Sequence, residues 1–364
     1  MRIRLLHIIW SSNTGGIERL VLQLWKNQLL DETILPEVYA GQPGGTLWEE
    51  FKRTGKVHEG RFKGGMDFNT RKIRSLIDLF SQYDILHFHS FHPATAYAAA
   101  KSGKKIIYTE HGNFGFGRGT TMSDLLIRYL LKRFLQNHSR FITFNSAFSK
   151  NIANRRYQLD GKKQEVVYNG IELNPVEFDA PPDADIAGFC KGHKIIGCVG
   201  RLAAVKRIER LIAVFSLLAE NSDLRLLIIG DGPLEQELKL QVSGLGLDSK
   251  VMFTGRRQDV RRYYQHMHIF VLPSANEAFG LVVVEALFAG TPVLVFNDAG
   301  GPVEIVSKVE PENICRNEQE MAERILHLLS NSSVVDKKEI RKSVASAFNI
   351  TKMKSAFSRI YQEL

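Results

Sequence analysis

The chain reads as two doubly wound α/β domains in succession, and three observations carry that reading. Short apolar runs alternate with amphipathic stretches from end to end, the pattern of a parallel sheet covered on both faces by helices. The pattern breaks between Asn174 and Gly192, where Pro, Asp and Gly collect, and then restarts. At 364 residues, each half is long enough to bury a core of its own.

In the first half, IRLLHII is a strand, followed by the loop SSNTGGIE and the amphipathic helix ERLVLQLWKNQL. PEVYA, KVHEG, DILHFHS, KKIIYTEHG and RFITFNS are further strands, with ATAYAAAKSG and SDLLIRYLLKRFLQN as helices between them. QEVVYNGIEL closes this half as a strand running into a turn. The second half repeats the alternation through KIIGCVG, RLAAVKRIERLIAVFSLLAE, LRLLIIG, DGPLEQELKLQVSGL, KVMFTG, RQDVRRYYQH and MHIFVLP. Next, SANEAFGLVVVEALFAGTPV predicts a loop, a helix starting near Gly280 and a strand beginning around Pro292, since a helix stops at Gly290 and Pro292. TKMKSAFSRIYQEL ends the chain as a helix, and no solenoid period or low-complexity tract is present.

A hydrophobic share of 44% and a charged share of 24% are ordinary for a soluble globular protein. Cys190, Cys198 and Cys315 have no C-x-x-C spacing, which fits a reducing cytosol. MRIRLLHIIW is basic then apolar but lacks a small-residue cleavage site, so it is read as a strand rather than a signal peptide. No apolar run reaches the roughly 18 residues of a membrane span. The net charge of +9 is uneven: Met1 to Glu172 holds 25 Lys/Arg against 15 Asp/Glu, whereas the remainder holds 23 against 24. The basic half is thus expected to meet an anionic surface or substrate, surplus surface lysine being the plainer alternative.

Glu277 stands before the Gly280 helix and Glu285 lies inside it, within VVVEALF. A carboxylate buried there without a polar partner would cost several kcal/mol, by a rough estimate. Either the Glu285 charge simply reaches water, or the vicinal hydroxyls of a ribose serve it, in which case Glu277 and the N–H groups of Phe279, Gly280 and Leu281 would face a sugar and a phosphate. Arg201 follows a strand and Lys206 sits about where the next helix begins. Fixed cations there can neutralise a nucleotide diphosphate leaving group without a metal. Gly15 and Gly16, between the first strand and helix, let backbone approach a phosphate or sugar, though a tight turn would also use them. Gly230-Asp231-Gly232-Pro233 is explained by turn formation alone. His87, His89 and His92 form H-x-H-x-x-H, but no carboxylate or cysteine completes a zinc set and no metal is expected. Asp183-Ala-Asp185 matches a metal-binding D-x-D, yet lies in the Pro-rich break and is read as solvated linker.

Glu277, seven residues, Glu285, with Phe279-Gly280-Leu281 between them, resembles the signature of the retaining glycosyltransferases of family four, which have the GT-B architecture. The resemblance spans nearly the whole chain and is densest from Lys194 to Val306. It implies that Arg201 and Lys206 contact the donor diphosphate. Many members carry Gly after that lysine, where this chain has Arg207. It places the Gly15-Gly16 loop against phosphate or acceptor and the Gly255-Arg256 strand end against the base or ribose; Gly230 is taken as donor-binding in addition to its turn role. It implies that His111, which precedes the glycine-rich NFGFGRG, touches the donor sugar; Glu110 would orient it or be surface.

The expected organisation is a GT-B protein: an acceptor-side Rossmann-like domain over 1–172, a linker over 173–192, a nucleotide-sugar-binding domain over 193–345, and a helix over 346–364 crossing back to the first domain. The expected activity is metal-independent, retaining transfer from a nucleotide diphosphate sugar, taken as a UDP-sugar, in bacterial cell-surface polysaccharide or lipopolysaccharide synthesis. The nucleotide-sugar is a substrate and no cofactor is expected, nor any nucleic-acid partner. A non-catalytic nucleotide-sugar-binding protein and a GT-B epimerase are the alternatives. The mixed apolar and basic helix from Ser123 to Asn137, with Arg155, Arg156 and a glycine-rich NFGFGRGTTM expected to be mobile, suits either core packing or docking of a cytoplasmic protein on an anionic leaflet beside a glycan or lipid-linked acceptor.

Overall fold

The computed structural model describes residues 2–13, 15–112, 121–331 and 337–364. It divides into two compact units, one holding the residues up to Glu172 together with Phe348–Leu364, the other Leu173–Ala347.

The first unit is built on β1 (Ile3–Ser11), β2 (Ile34–Gln42), β3 (Val57–Glu59), β4 (Ile85–Phe88), β5 (Lys105–Glu110), β6 (Ser139–Phe144) and β7 (Gln164–Val166). They form a parallel sheet in the order β3-β2-β1-β4-β5-β6-β7. The second unit carries β8 (Lys194–Val199), β9 (Leu224–Ile229), β10 (Val251–Phe253), β11 (Ile269–Leu272), β12 (Val293–Phe296) and β13 (Ile314–Cys315), parallel in the order β10-β9-β8-β11-β12-β13. Central strands such as ILHF, IFVL and VLVF are buried at every position. Helices on both faces leave such strands no solvent side, so their sequences do not alternate. In each sheet the order turns outward from its first strand, which creates a crevice between β1 and β4 and another between β8 and β11. Ligands of doubly wound sheets bind beyond the carboxyl ends of the strands at that point.

The last helix, Ile350–Gln362, is capped by the Asn349 side chain, which accepts from the Lys352 N–H at 2.7 Å. It buries Met353, Phe357, Ile360 and Tyr361 in the first unit's core with Leu5, Leu24, Ile85 and Ile107. Residues 173–192 are not a bare linker. They contain the short helices Pro175–Phe178 and Ala184–Cys190, with Phe178 and Ile186 fully buried, and belong to the second unit. All three cysteines are free thiols. No helix among the described residues is long and apolar enough to cross a membrane.

Candidate active site

In the second unit, β8 ends in a loop rather than running directly into helix. Residues 201–203 are irregular, Ala204–Lys206 form one 3-10 turn, and the helix starts only at Ile208. Arg207 joins the two in a left-handed conformation, φ +51°, where glycine would carry no steric cost. Its guanidinium donates to Glu209 at 2.8 Å. The loop is pinned from below by Gly230-Asp231-Gly232: the Leu202 N–H donates to the Asp231 carbonyl at 2.8 Å, and the Gly200 N–H to Ile229 at 3.0 Å. A Cβ on Gly230 would lie 1.9 Å from the Gly200 oxygen, and one on Gly232 2.3 Å from the Leu202 oxygen. These glycines therefore set the height of the Arg201 loop. Gly255, at φ +68°, accepts from the Gly230 N–H at 3.0 Å, and Arg256 beside it is exposed.

Lys206 Nζ meets Glu277 Oε1 at 2.8 Å, both side chains about four-fifths buried. The second oxygen, Glu277 Oε2, is buried with no hydrogen-bond partner among the described residues. Arg201 is exposed and forms no salt bridge to a described residue. The backbone around Glu277 is clamped from both sides: its N–H donates to Ala299 and its carbonyl accepts from Gly301, each at 2.8 Å. Only glycine fits at 301, since a Cβ there would stand 2.1 Å from the Ala278 oxygen. Asn276, at φ +54°, and Gly280, at φ +88°, turn the chain between this clamp and the helix Leu281–Phe288, whose first N–H groups have no acceptor within the helix. Phe279 is buried.

Glu285 does find protein partners. Tyr264 donates its hydroxyl to Oε2 at 2.9 Å, and Arg261 Nε lies 3.6 Å from Oε1. The apolar helix thus holds its one carboxylate against an aromatic hydroxyl and a guanidinium. Burial, then the Glu285 carboxylate, keeps the Tyr264 phenol protonated well beyond its ordinary range. Arg261 also pairs with Glu177, which ties the 173–192 segment to the Glu285 helix. Asp183 and Asp185 are likewise engaged: Arg257 holds them at 2.9 and 2.5 Å, and Tyr263 donates to Asp183 at 2.7 Å. They brace the second unit while staying partly exposed, so the segment is ordered by these pairs rather than being free linker.

In the first unit, the β1–β4 crevice is filled with histidine. His7 and His87 are register neighbours. His7 Nδ1 is 2.9 Å from His89 Nε2, and His89 Nδ1 is 3.2 Å from His111 Nε2. His7, His87 and His89 bring one nitrogen each within 4.8 Å of one another. All six of their ring nitrogens are already hydrogen-bonded, to each other or to Gln28, Tyr361, Thr109 and His111. His92, which the sequence grouped with them, stacks instead on Trp10 at 3.7 Å between centroids. Desolvation lowers His7 and His111 to about 4, and His87 and His89 well below the usual imidazole range, so all four are neutral near pH 7. Glu110 is buried, not at the surface, and accepts from the Gly112 N–H at 2.8 Å. Gly15 precedes the helix that opens at Gly16, and the Glu18 carboxylate folds back beside it, so a Cβ at 15 would meet Glu18 Oε2 at 2.2 Å. The NFGFGRG stretch lies outside the described residues.

His7, Gln28, Tyr264, Arg261 and the Ala299–Gly301 clamp were not singled out from the sequence. A histidine inside the apolar run IRLLHII was the one local signal available for any of them. The helix Met122–Asn137 divides its apolar residues: Leu131, Phe134 and Leu135 are buried, whereas Met122, Leu125, Leu126, Ile127 and Tyr129 are exposed.

Two family descriptions match the chain almost end to end, "Glycosyltransferase Family 4" over residues 14–174 and "Glycosyl transferases group 1" over residues 181–346. The chain is 27% identical over 296 residues to the N-acetyl-alpha-D-glucosaminyl L-malate synthase of Bacillus anthracis, covering 77% of this chain and 75% of that one. It is 25% identical over 312 residues to the UDP-Gal:alpha-D-GlcNAc-diphosphoundecaprenol alpha-1,3-galactosyltransferase of Escherichia coli, covering 81% and 80%. Anabaena HepE, solved in complex with UDP and glucose, superposes over 100% of both chains with a TM-score of 0.79 at 17% identity.

Proposed function

The chain is a glycosyltransferase of family four with the GT-B architecture, and from that premise we propose that it transfers a sugar, with retention, from a UDP-sugar to a glycan or lipid-linked acceptor in bacterial cell-surface polysaccharide or lipopolysaccharide synthesis. The observation that carries the reading is the Lys206–Glu277 pair at the carboxyl ends of β8 and β11, with one Glu277 oxygen buried and unpartnered. An acceptor-only oxygen of this kind is completed by a hydroxyl, and a sugar brings several. The bond from the anomeric carbon to the β-phosphate breaks, and Lys206 and Arg201 meet the charge that grows on the departing diphosphate. The acceptor oxygen joins the anomeric carbon on the same face and gives its proton to the leaving phosphate oxygen, so no enzyme nucleophile is needed. Glu285 takes the ribose hydroxyls, the Gly255-Arg256 turn lies against the base, and the N–H groups opening the Leu281 helix face phosphate. His111, in the first unit, is assigned to the transferred sugar. Gly15 and Gly16 are assigned to sugar or acceptor hydroxyls, because the Glu18 carboxylate already answers the positive end of their helix.

UDP as the donor base draws support from the UDP-bound neighbour and the UDP-galactose-dependent relative, and the latter's diphosphoundecaprenol substrate supports a lipid-linked acceptor. Metal independence draws support from Lys206, held by Glu277, from Arg201 on the same loop, and from the engagement of Asp183 and Asp185 by Arg257 and Tyr263. Calorimetry against UDP-, GDP- and ADP-sugars, followed by NMR of the product's anomeric configuration in EDTA, tests the assignment. Binding of UDP-sugars, retention and full activity in EDTA are expected; an inverted product or a dead enzyme in chelator overturns it.

The enzyme is further proposed to work at the cytoplasmic face of the membrane as a peripheral protein. Met122, at 82% exposure, and Leu125, Leu126, Ile127 and Tyr129 leave the helix Met122–Asn137 with apolar surface in water, interleaved with Arg128, Lys132 and Arg133. Each basic residue near an anionic leaflet contributes about 1 kcal/mol. Sedimentation with liposomes should show binding that rises with anionic lipid and falls with salt. Indifference to lipid charge would point to an acceptor free in solution.

A further inference from the structure

The histidines buried between β1 and β4 form one directed hydrogen-bond relay, and its direction is set by a single amide. Gln28 Oε1 lies 2.6 Å from His7 Nε2, while Gln28 Nε2 donates toward the Tyr361 hydroxyl at 3.4 Å. The oxygen can only accept, so His7 carries its proton on Nε2 and presents a lone pair at Nδ1. His89 must then donate from Nε2 across 2.9 Å, which leaves its own Nδ1 as an acceptor. His111 must therefore donate from Nε2 across 3.2 Å to His89. A second branch leaves the same amide: Tyr361 accepts from Gln28 and donates to His87 Nδ1 at 2.7 Å, His87 Nε2 donates to Thr109 at 2.6 Å, and Thr109 to Thr143 at 2.6 Å. Each link is consistent with neutral imidazoles throughout, and the ligating alternative would have to break bonds at every ring.

We propose that Gln28, His7 and His89 are positioning residues that lock His111 in the tautomer protonated at Nε2, so that Nδ1 is a fixed acceptor for a hydroxyl of the transferred sugar. None of the three touches substrate; they act through His111. The proposal rests on the assignment of His111 to the sugar, made above. Without the relay a neutral imidazole exchanges between tautomers, and the form with a proton on Nδ1 could only donate to a sugar hydroxyl, not accept from it.

Selective 15N labelling of histidine, with His111→Asn to assign the signal, reads the tautomer directly at pH 7. The wild-type protein is expected to show His111 with Nε2 protonated and Nδ1 bare. A proton on Nδ1, or a mixture of tautomers, overturns the relay irrespective of any variant. Gln28→Met, similar in length and unable to accept or donate through an amide, should return a mixed His111 signal. Its kcat should fall about tenfold while the donor KM stays within about twofold, the split expected when only the transition-state contact weakens. An unchanged single tautomer in folded Gln28→Met sinks the proposal. Wild-type turnover in His111→Ala would instead remove the catalytic assignment of His111, while the tautomer result would stand on its own.

Discussion

Between β1 and β4 the first unit holds three buried histidines, His7, His87 and His89, with His111 partly exposed beside them, and all four are neutral near pH 7. At the equivalent point of the second unit, beyond β8 and β11, stand a Lys206–Glu277 ion pair and an exposed Arg201. The sheets share the order of their first six strands, the first sheet adding β7 at its edge, so topology at the crevice does not distinguish them. What differs is how each crevice holds its polar groups. The second clamps charge with backbone, through Ala299, Gly301 and the glycines at 230 and 232, and leaves part of it to be completed. The first removes charge by desolvation and uses proton direction instead. A charged site suits a diphosphate, whereas a neutral one suits the hydroxyls of a sugar, and the contrast can be broken experimentally.

The largest effect is expected in acid. His7 and His111 have folded values of about 4 against an ordinary 6.5, so between those pH values the unfolded chain binds more protons than the folded one. Stability contributed by these groups is complete above about pH 6.5 and is lost as pH falls toward 4. The slope reaches about 1.4 kcal/mol per pH unit for each histidine. Denaturant titrations at pH 7, 5.5 and 4.5 should show the first unit failing first, and His7→Phe should flatten the trend. Equal sensitivity of the two units would remove the contrast.

A smaller effect tests the backbone clamp. Gly230→Ala must place a Cβ against the Gly200 oxygen at a positive φ of 142°, and should cost roughly 2–3 kcal/mol. Thermal unfolding would register this as a lower Tm, with donor binding weakened because the Arg201 loop shifts. A neutral substitution would show that the loop is not set from below. The smallest effect belongs to Glu285→Gln, which keeps size and the Tyr264 contact but loses the charged acceptor. Donor Kd should rise about tenfold, equivalent to about 1.4 kcal/mol. No change by calorimetry would make Glu285 a structural partner of Arg261 alone.

The alternation of apolar runs was enough to read both sheets, because fully buried parallel strands such as VLVF and ILHF need no long-range information to be recognised. Glu277 and Glu285 were legible for a similar reason, as carboxylates beside an apolar helix are costly and therefore conspicuous. Within RLAAVKRIERLIAVFSLLAE the helix is expected to begin about Lys206 and begins at Ile208, but the 3-10 turn at Ala204–Lys206 is not legible in the sequence. The loop before it is held by bonds to Asp231 and Ile229, which no local propensity encodes. The Pro-rich 173–192 segment read as linker for the same reason: its order comes from Arg257, Arg261 and Tyr263, more than 70 residues away. His7 remained hidden because a single polar residue in a strand gives no sign of which other strand will complete it.

Lys206 is proposed to act on charge that develops as the diphosphate leaves, more than on the bound donor. This is tested most directly by measuring the single-turnover rate and the UDP-sugar Kd of Lys206→Ala side by side. A rate lowered about 100- to 1,000-fold with Kd raised less than about tenfold is the expected result. Loss of equal size in rate and affinity, or a rate within about threefold of wild type, would contradict it.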